Sequence, residues 1–96
     1  MKLEVGMYVR TKKGKIYKFE SDNSMAKNGA KKYMVNCSYN IIDLIEVGDY
    51  VNGFPVIHKE NDILKCGLLV QFKENEIKSI LTKEMYSSVE YRVEAN

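Results

Sequence analysis

The chain has 96 residues, the size of one small domain. Hydrophobic residues make up 45% of it, charged residues 29%, and the formal net charge is +2. This composition supplies one core and is not that of a disordered polyelectrolyte. With a single histidine and so short a chain, it excludes a multi-domain enzyme and a histidine-rich metal site within these residues.

Alternation of apolar and polar residues with a period of two runs through the first twenty residues and predicts a β-hairpin. Val5, Met7 and Val9 share one face of the first strand. A turn at Lys13-Gly14 leads into a second strand over residues 16–20. The tip of this hairpin is basic.

The next segment reads as a loop followed by a strand. Residues 21–30 are polar and contain Asn-Gly at 28–29, a pair typical of a tight turn. Residues 33–39 then alternate cleanly as a strand. Residues 40–45 leave two interpretations open: a single helical turn capped by Asn40, or a buried strand.

The second half predicts further short strands. A turn at 52–53 separates strands at 50–51 and 56–58, and the longest predicted strand covers residues 64–72.

Near the end of the chain a strand at 77–81 leads to Thr82, a suitable N-cap for one helical turn over 83–87. A last strand is predicted at 89–93. We expect Tyr33 and Tyr91, which alternate with apolar partners, to lie in the core.

One six-residue motif occurs twice. Residues 4–9, Glu-Val-Gly-Met-Tyr-Val, recur at 46–51 as Glu-Val-Gly-Asp-Tyr-Val. Each copy is followed by a glycine turn and a strand, which indicates two related hairpin units at about 4–20 and 46–58. We therefore predict one domain over residues 1–96. Its fold is expected to be mainly β: a small SH3-like or otherwise strongly bent β-barrel with one or two short helical turns, which hides its strand edges.

The two cysteines and the absence of a signal-peptide pattern in the first residues favour a reducing cytoplasm. Cys37 and Cys66 lie among apolar neighbours and read as small core residues. Residues 1–6 lack the apolar stretch of a signal peptide, and no apolar run is long enough to span a membrane.

Charge is unevenly distributed. Residues 1–32 carry nine basic and three acidic side chains, and residues 33–96 carry a net charge of −4. This asymmetry is compatible with an anionic partner such as nucleic acid, with two halves that complement each other in one chain or in a homodimer, or with lysines that protect a sheet edge. The candidate partner-binding residues are Tyr8, Arg10, Lys12, Lys13, Lys15, Tyr17 and Lys18.

The chain offers little for catalysis or for metal binding. His58, the single histidine, reads as a surface or half-buried strand residue. Asp43, Glu46 and Asp49 are close enough in sequence for a divalent-ion site, but polar residues around Gly48 are the favoured interpretation. We expect no catalytic residues, no metal and no cofactor.

Three stretches carry a resemblance to a known group of proteins. Residues 4–16, 40–53 and 77–86 resemble a largely uncharacterised family of small proteins encoded by phages and prophages of Gram-positive bacteria. Residues 17–39 and 54–76 have no such match. The resemblance implies a phage origin and a bacterial host cytoplasm, and it provides no catalytic residues.

Three functions are compatible with these observations. The first is a non-enzymatic phage protein that inhibits or redirects a host protein, for example a defence factor. The second is a nucleic-acid-binding module that uses the basic hairpin, where tyrosines and lysines alternate. The third is a sponge that sequesters a signalling nucleotide. Self-association as a homodimer is compatible with all three, and no membrane partner is expected.

Overall fold

The computed structural model describes residues 2–21 and 23–89. Within these residues the strands form three antiparallel sheets of three strands each. The first sheet contains β1 (Tyr8–Thr11), β2 (Ile16–Lys18) and β3 (Met34–Ser38). The second contains β4 (Tyr50–Val51), β5 (Phe54–Pro55) and β9 (Ile80–Leu81). The third contains β6 (His58–Glu60), β7 (Ile63–Lys65) and β8 (Gln71–Lys73). The strand orders are β2-β1-β3, β5-β4-β9 and β6-β7-β8.

Two α-helices and two 3-10 turns complete the described chain. They are α1 (Ser24–Tyr33), α2 (Lys83–Val89), and 3-10 turns at Ile41–Leu44 and Glu74–Glu76. The mainly-β prediction is confirmed. The pairings among the described strands stay within the three sheets and do not show a closed barrel, so the SH3-like barrel stays a prediction.

The two copies of the repeated motif have the same local structure. Gly6 and Gly48 have φ angles of +96° and +101°. The amide of Gly6 donates to the carbonyl of Phe19 at 2.8 Å, and the amide of Gly48 donates to that of Val56 at 3.0 Å. In both copies the strand that follows the glycine, β1 or β4, becomes the middle strand of its sheet. The same entry into a strand therefore organises the first and second sheets.

The loop predicted over residues 21–30 is wrong, because most of this segment belongs to α1. The Asn23 side chain caps the helix by accepting from the Met25 amide at 2.8 Å. The Asn-Gly pair at 28–29 lies inside the helix, where a Cβ on Gly29 would meet no atom within 4 Å. The asparagine cap five residues earlier therefore prevails over the turn preference of the Asn-Gly pair.

The prediction that Tyr33 lies in the core is also wrong. Tyr33 is the last residue of α1 and its side chain is 59% exposed. Because β3 begins only at Met34, the strand alternation that placed Tyr33 on the inner face does not apply to it. Cys37, further along β3, is buried as a free thiol. The last strand predicted at 89–93 is wrong at Val89, which belongs to α2. Tyr91 and the other residues at 90–93 lie outside the described residues.

The longest predicted strand, residues 64–72, is in fact a hairpin. β7 pairs with β8, and the amide of Cys66 donates to the carbonyl of Val70 at 2.8 Å. Leu68 and Leu69 lie at the tip, almost fully exposed. Their apolar character continued the strand pattern in the sequence and concealed the turn. Cys66 is a buried free thiol, and burial raises its pKa.

Residues 40–45 form a helical turn, the first of the two interpretations. The Asn40 side chain caps it by accepting from the Ile42 amide at 3.0 Å, and Ile42 and Leu44 are buried. Thr82 likewise precedes α2, where its carbonyl accepts from the Tyr86 amide at 2.8 Å.

The buried apolar residues form two separate clusters. One contains Leu3, Val9, Phe19 and Cys37 around the first sheet. The other contains Ile42, Ile45, Val51, Val56, Leu64 and Cys66 around the second and third sheets. A buried ion pair between Arg10 and Asp49 joins the first sheet to the second half of the chain.

Among the described residues no helix is long and apolar enough to cross a membrane.

Candidate binding site at the first hairpin

Arg10 lies inside the protein, which corrects its assignment as a partner-binding residue. Its side chain is 1% exposed. One terminal nitrogen donates to the Leu44 carbonyl at 2.9 Å and to Asp49 Oδ2 at 2.5 Å; the other donates to Asp49 Oδ1 at 3.0 Å and Glu84 Oε2 at 2.8 Å. Nε lies 3.5 Å from Glu46 Oε2, an ion-pair contact without a hydrogen bond. Both terminal nitrogens are bonded within the fold and the side chain is buried, so the guanidinium is unavailable to a partner.

Asp49 is the centre of this network and is 0% exposed. Besides Arg10, it accepts from the backbone amides of Glu46 at 2.8 Å and Lys83 at 2.9 Å. Burial by itself raises the pKa of Asp49, but the bonds from Arg10 and the two amides outweigh it and hold the pKa below its usual range. Asp49 occupies the motif position that Met7 has in the first copy. This one difference between the copies connects β1 to the second unit.

The carboxylates considered for a divalent ion are used in other ways. Asp43 accepts a hydrogen bond from Ser38 at 2.6 Å, and Glu46 pairs with Lys83 at 2.6 Å, which raises the pKa of Lys83. Within residues 2–21 and 23–89, no group of three His, Cys, Asp or Glu side chains is placed to hold a metal ion. Asp49 is neutralised by Arg10.

Four of the predicted partner-binding residues form an exposed charged surface. We define the basic hairpin as β1, β2 and their connecting turn, with Lys12, Lys13, Lys15 and Lys18 exposed. The ammonium group of Lys18 lies 5.9 Å from the ring centroid of Tyr8, and that of Lys15 lies 5.8 Å from that of Tyr17. Each tyrosine therefore has a cation beside its ring, a contact worth about 0.5–1 kcal/mol at exposed sites.

The strand register separates the two tyrosines. Tyr8 stands opposite Lys18, while Tyr17 stands opposite the buried Val9. Because directly paired residues share a face, Tyr8 and Tyr17 belong to opposite faces of the hairpin. The seven predicted residues thus divide into Arg10 in the interior, two tyrosines on different faces, and four exposed lysines.

A groove of about 410 Å³ runs beside the basic hairpin, and both tyrosines touch it. Residues of β2 and its turn form one side, and residues of β9 and the chain before it form the other. The Thr82 hydroxyl joins the two sides by donating to the Gly14 carbonyl at 2.7 Å. Gly14 is buried with φ +89°, and a Cβ there would collide with Thr82 Oγ1. The close approach at this end of the groove depends on glycine.

The wall of the groove is apolar with a basic contribution. Its apolar residues are Ile16, Ile41, Ile77, Ile80 and Met85, and its lysines are Lys15 and Lys78. Residues 77–85 come from the far end of the chain, and sequence reasoning missed their part in a site. The repeated motif indicated the second unit but carried no signal for residues 77–85, because β9 joins that unit only through its pairing with β4.

His58 is exposed in β6, with Nε2 3.2 Å from Glu60 Oε1, which fits the surface strand residue that was predicted.

Comparison of the chain with protein-family models, with curated proteins and with solved structures found no match.

Proposed function

We propose that this is a non-enzymatic binding protein of phage origin that acts in the bacterial cytoplasm and inhibits or redirects a host protein. The observation that carries the proposal is the basic hairpin, which presents four exposed lysines. An acidic surface of a partner matches this charge, and complementary charge speeds association and selects among partners.

The buried network beneath the hairpin supports this assignment. Arg10 in β1 is bonded to Asp49 and Glu84, which belong to the second half of the chain. The hairpin is therefore held in one orientation before any partner arrives. A pre-ordered surface loses less conformational entropy on binding than a flexible one.

Nucleic-acid binding by the same hairpin is the second candidate, favoured by lysines that alternate with Tyr8 and Tyr17. Its distinguishing property is an affinity that falls linearly in log–log terms with salt, with a slope set by the number of phosphates contacted. A nucleotide sponge that uses the groove, and a homodimer, are further outcomes that the experiment below separates. We retain the SH3-like barrel as a proposal, supported by the shared strand order of the first two sheets.

The test is a pull-down from host lysate with tagged protein, with and without nuclease, read by mass spectrometry and by absorbance ratio. We compare wild type with Lys12→Glu/Lys13→Glu on the hairpin. The matched control is Lys65→Glu/Lys73→Glu, which makes the same charge change on the third sheet. Circular dichroism verifies that each variant is folded.

We expect wild type and control to retain one host protein after nuclease treatment, and the hairpin variant to lose it. Nucleic acid that nuclease removes would establish the second candidate. Retention of the same host protein by the hairpin variant would overturn the assignment of the surface.

A further inference from the structure

The groove lies between two open strand edges. β2 is at the edge of the first sheet and β9 at the edge of the second. The Thr11 amide donates to the Lys15 carbonyl at 2.9 Å. Bonded pairs alternate along an antiparallel ladder, so the main-chain groups of Ile16 and Lys18 point away from β1. Beside the groove, β2 thus offers both N–H donors and C=O acceptors.

The opposite side of the groove has the same property. The Asn52 amide donates to the Ser79 carbonyl at 3.0 Å, and Ile80 stands opposite Val51. By the same alternation, the main-chain groups of Ile80 point away from β4. An exposed edge is a template for another extended chain unless it is covered.

The charge along the groove selects the kind of chain. Lys15 and Lys78 contribute to its wall, and among the described residues that line it none is acidic. Glu84 lies next to Gly14, and its carboxylate accepts a hydrogen bond from Arg10. An apolar wall with cations in it favours a segment that carries a large apolar side chain between acidic ones.

We propose that the groove binds an extended acidic segment of the partner protein, which adds as a strand to the edge of β2 and places one large apolar side chain on the isoleucines that line the groove. This inference rests on the proposed function and names what the site recognises. A peptide backbone alternates donors and acceptors and therefore satisfies both kinds of edge group. A nucleotide phosphate only accepts, so it matches the N–H groups of the edge but not its carbonyls.

The probe is a panel of fluorescein-labelled ten-residue synthetic peptides. Each has one central Leu, Ile or Phe flanked by Glu and Asp, and matched peptides carry Lys in place of the acids. Binding is measured by fluorescence anisotropy with the folded full chain. We expect the acidic members to bind and the basic members not to bind.

The strand geometry is tested by moving a single N-methyl group along the best peptide. If the peptide pairs with β2, methylation at alternate residues removes a donor to the ladder and weakens binding about tenfold or more, while methylation at the intervening residues has little effect. A peptide that binds by charge alone would show no period of two.

The site is tested with Lys15→Glu/Lys78→Glu, and with Ser79→Trp, which adds bulk at an exposed residue that lines the groove. We expect each to weaken the best peptide about tenfold or more. Lys65→Glu/Lys73→Glu is the matched control for charge, and Ser24→Trp on α1 is the control for bulk.

Three results would overturn the inference: no panel member binding below about 1 mM, equal effects of N-methylation at all positions, or displacement of the peptide by a panel of mono- and dinucleotides. If the host protein is still retained in a way that depends on Lys12 and Lys13, the inference fails and the proposed function stands. If wild type retains no host protein, the proposed function itself fails.

Discussion

The buried pair of Arg10 and Asp49 gives the strongest prediction about stability. Arg10 is 1% exposed and Asp49 is 0% exposed, so removal of either partner leaves a charge in the interior. Breaking a buried pair in this way typically costs about 3–5 kcal/mol. After Asp49→Leu, the guanidinium keeps Glu84 and Glu46; after Arg10→Met, the carboxylate keeps two backbone amides. We therefore expect the lower end, about 3 kcal/mol for each.

That loss is large for this protein. At about 0.05–0.15 kcal/mol per residue, a domain of this size has a free energy of unfolding of roughly 5–14 kcal/mol. Urea unfolding followed by far-ultraviolet circular dichroism is the suitable assay, because urea is uncharged and the chain has no tryptophan. The matched control is Glu60→Ala, which removes an exposed pair with Lys65 at 3.1 Å and should cost far less, because solvent screens exposed ion pairs.

A double-mutant cycle completes the experiment. Arg10→Met/Asp49→Leu removes both charges and fills the space with apolar atoms, so its cost should be well below the sum of the single costs. Single costs under about 1 kcal/mol, or costs that simply add, would refute the argument that a desolvated pair connects the two units.

Three further predictions follow from single sites. Because its folded pKa is below the unfolded value of about 3.9, Asp49 contributes stability above that pH and loses it as pH falls through the folded pKa. Urea titrations of wild type and Asp49→Asn should therefore differ by a constant free energy from pH 5 to 8 and converge below about pH 4; a constant difference down to pH 2 would contradict this. Gly14→Ala should lower the unfolding free energy by more than Gly53→Ala. Both glycines have positive φ, but only at Gly14 does the added Cβ collide with other atoms. Equal losses would refute the close approach. Leu68→Ser/Leu69→Ser should change stability by no more than about 0.5 kcal/mol per site, since both side chains are exposed, and a loss above about 2 kcal/mol would show that they pack against the protein.

Local patterns predicted the strands and turns whose causes are local. The glycine turn at Gly14 and the Asn-Gly turn at 52–53 need positive φ, and the structure has φ values of +89° at Gly14 and +53° and +86° at 52–53. The caps at Asn40 and Thr82 depend on residues within four positions: Asn40 accepts from the Ile42 amide at 3.0 Å, and the Thr82 hydroxyl oxygen accepts from the Met85 amide at 3.5 Å. Such features are visible in a sequence because the residues that cause them are neighbours in it.

Local patterns failed where two local signals competed. The Asn-Gly pair at 28–29 suggested a turn, but Asn23 begins a helix that runs through it. The exposed tip at Leu68 and Leu69 continued an apolar alternation and hid a turn. In both segments a residue pattern compatible with one structure also fitted another. The Asn23 cap accompanies the helix in the first segment, and the pairing of β7 with β8 forms the hairpin in the second.

The candidate site shows the same division. The sequence by itself determined the mainly-β class, the repeated strand entry and the cluster of lysines on the first hairpin, because these depend on composition and on short spacings. Only the tertiary structure decided that Arg10 is interior, since a charge is buried only when a distant partner such as Asp49 meets it. It also decided that β2 and β9, more than sixty residues apart in the chain, would face a common groove, because the contact between Thr82 and Gly14 exists only once both sheets have formed.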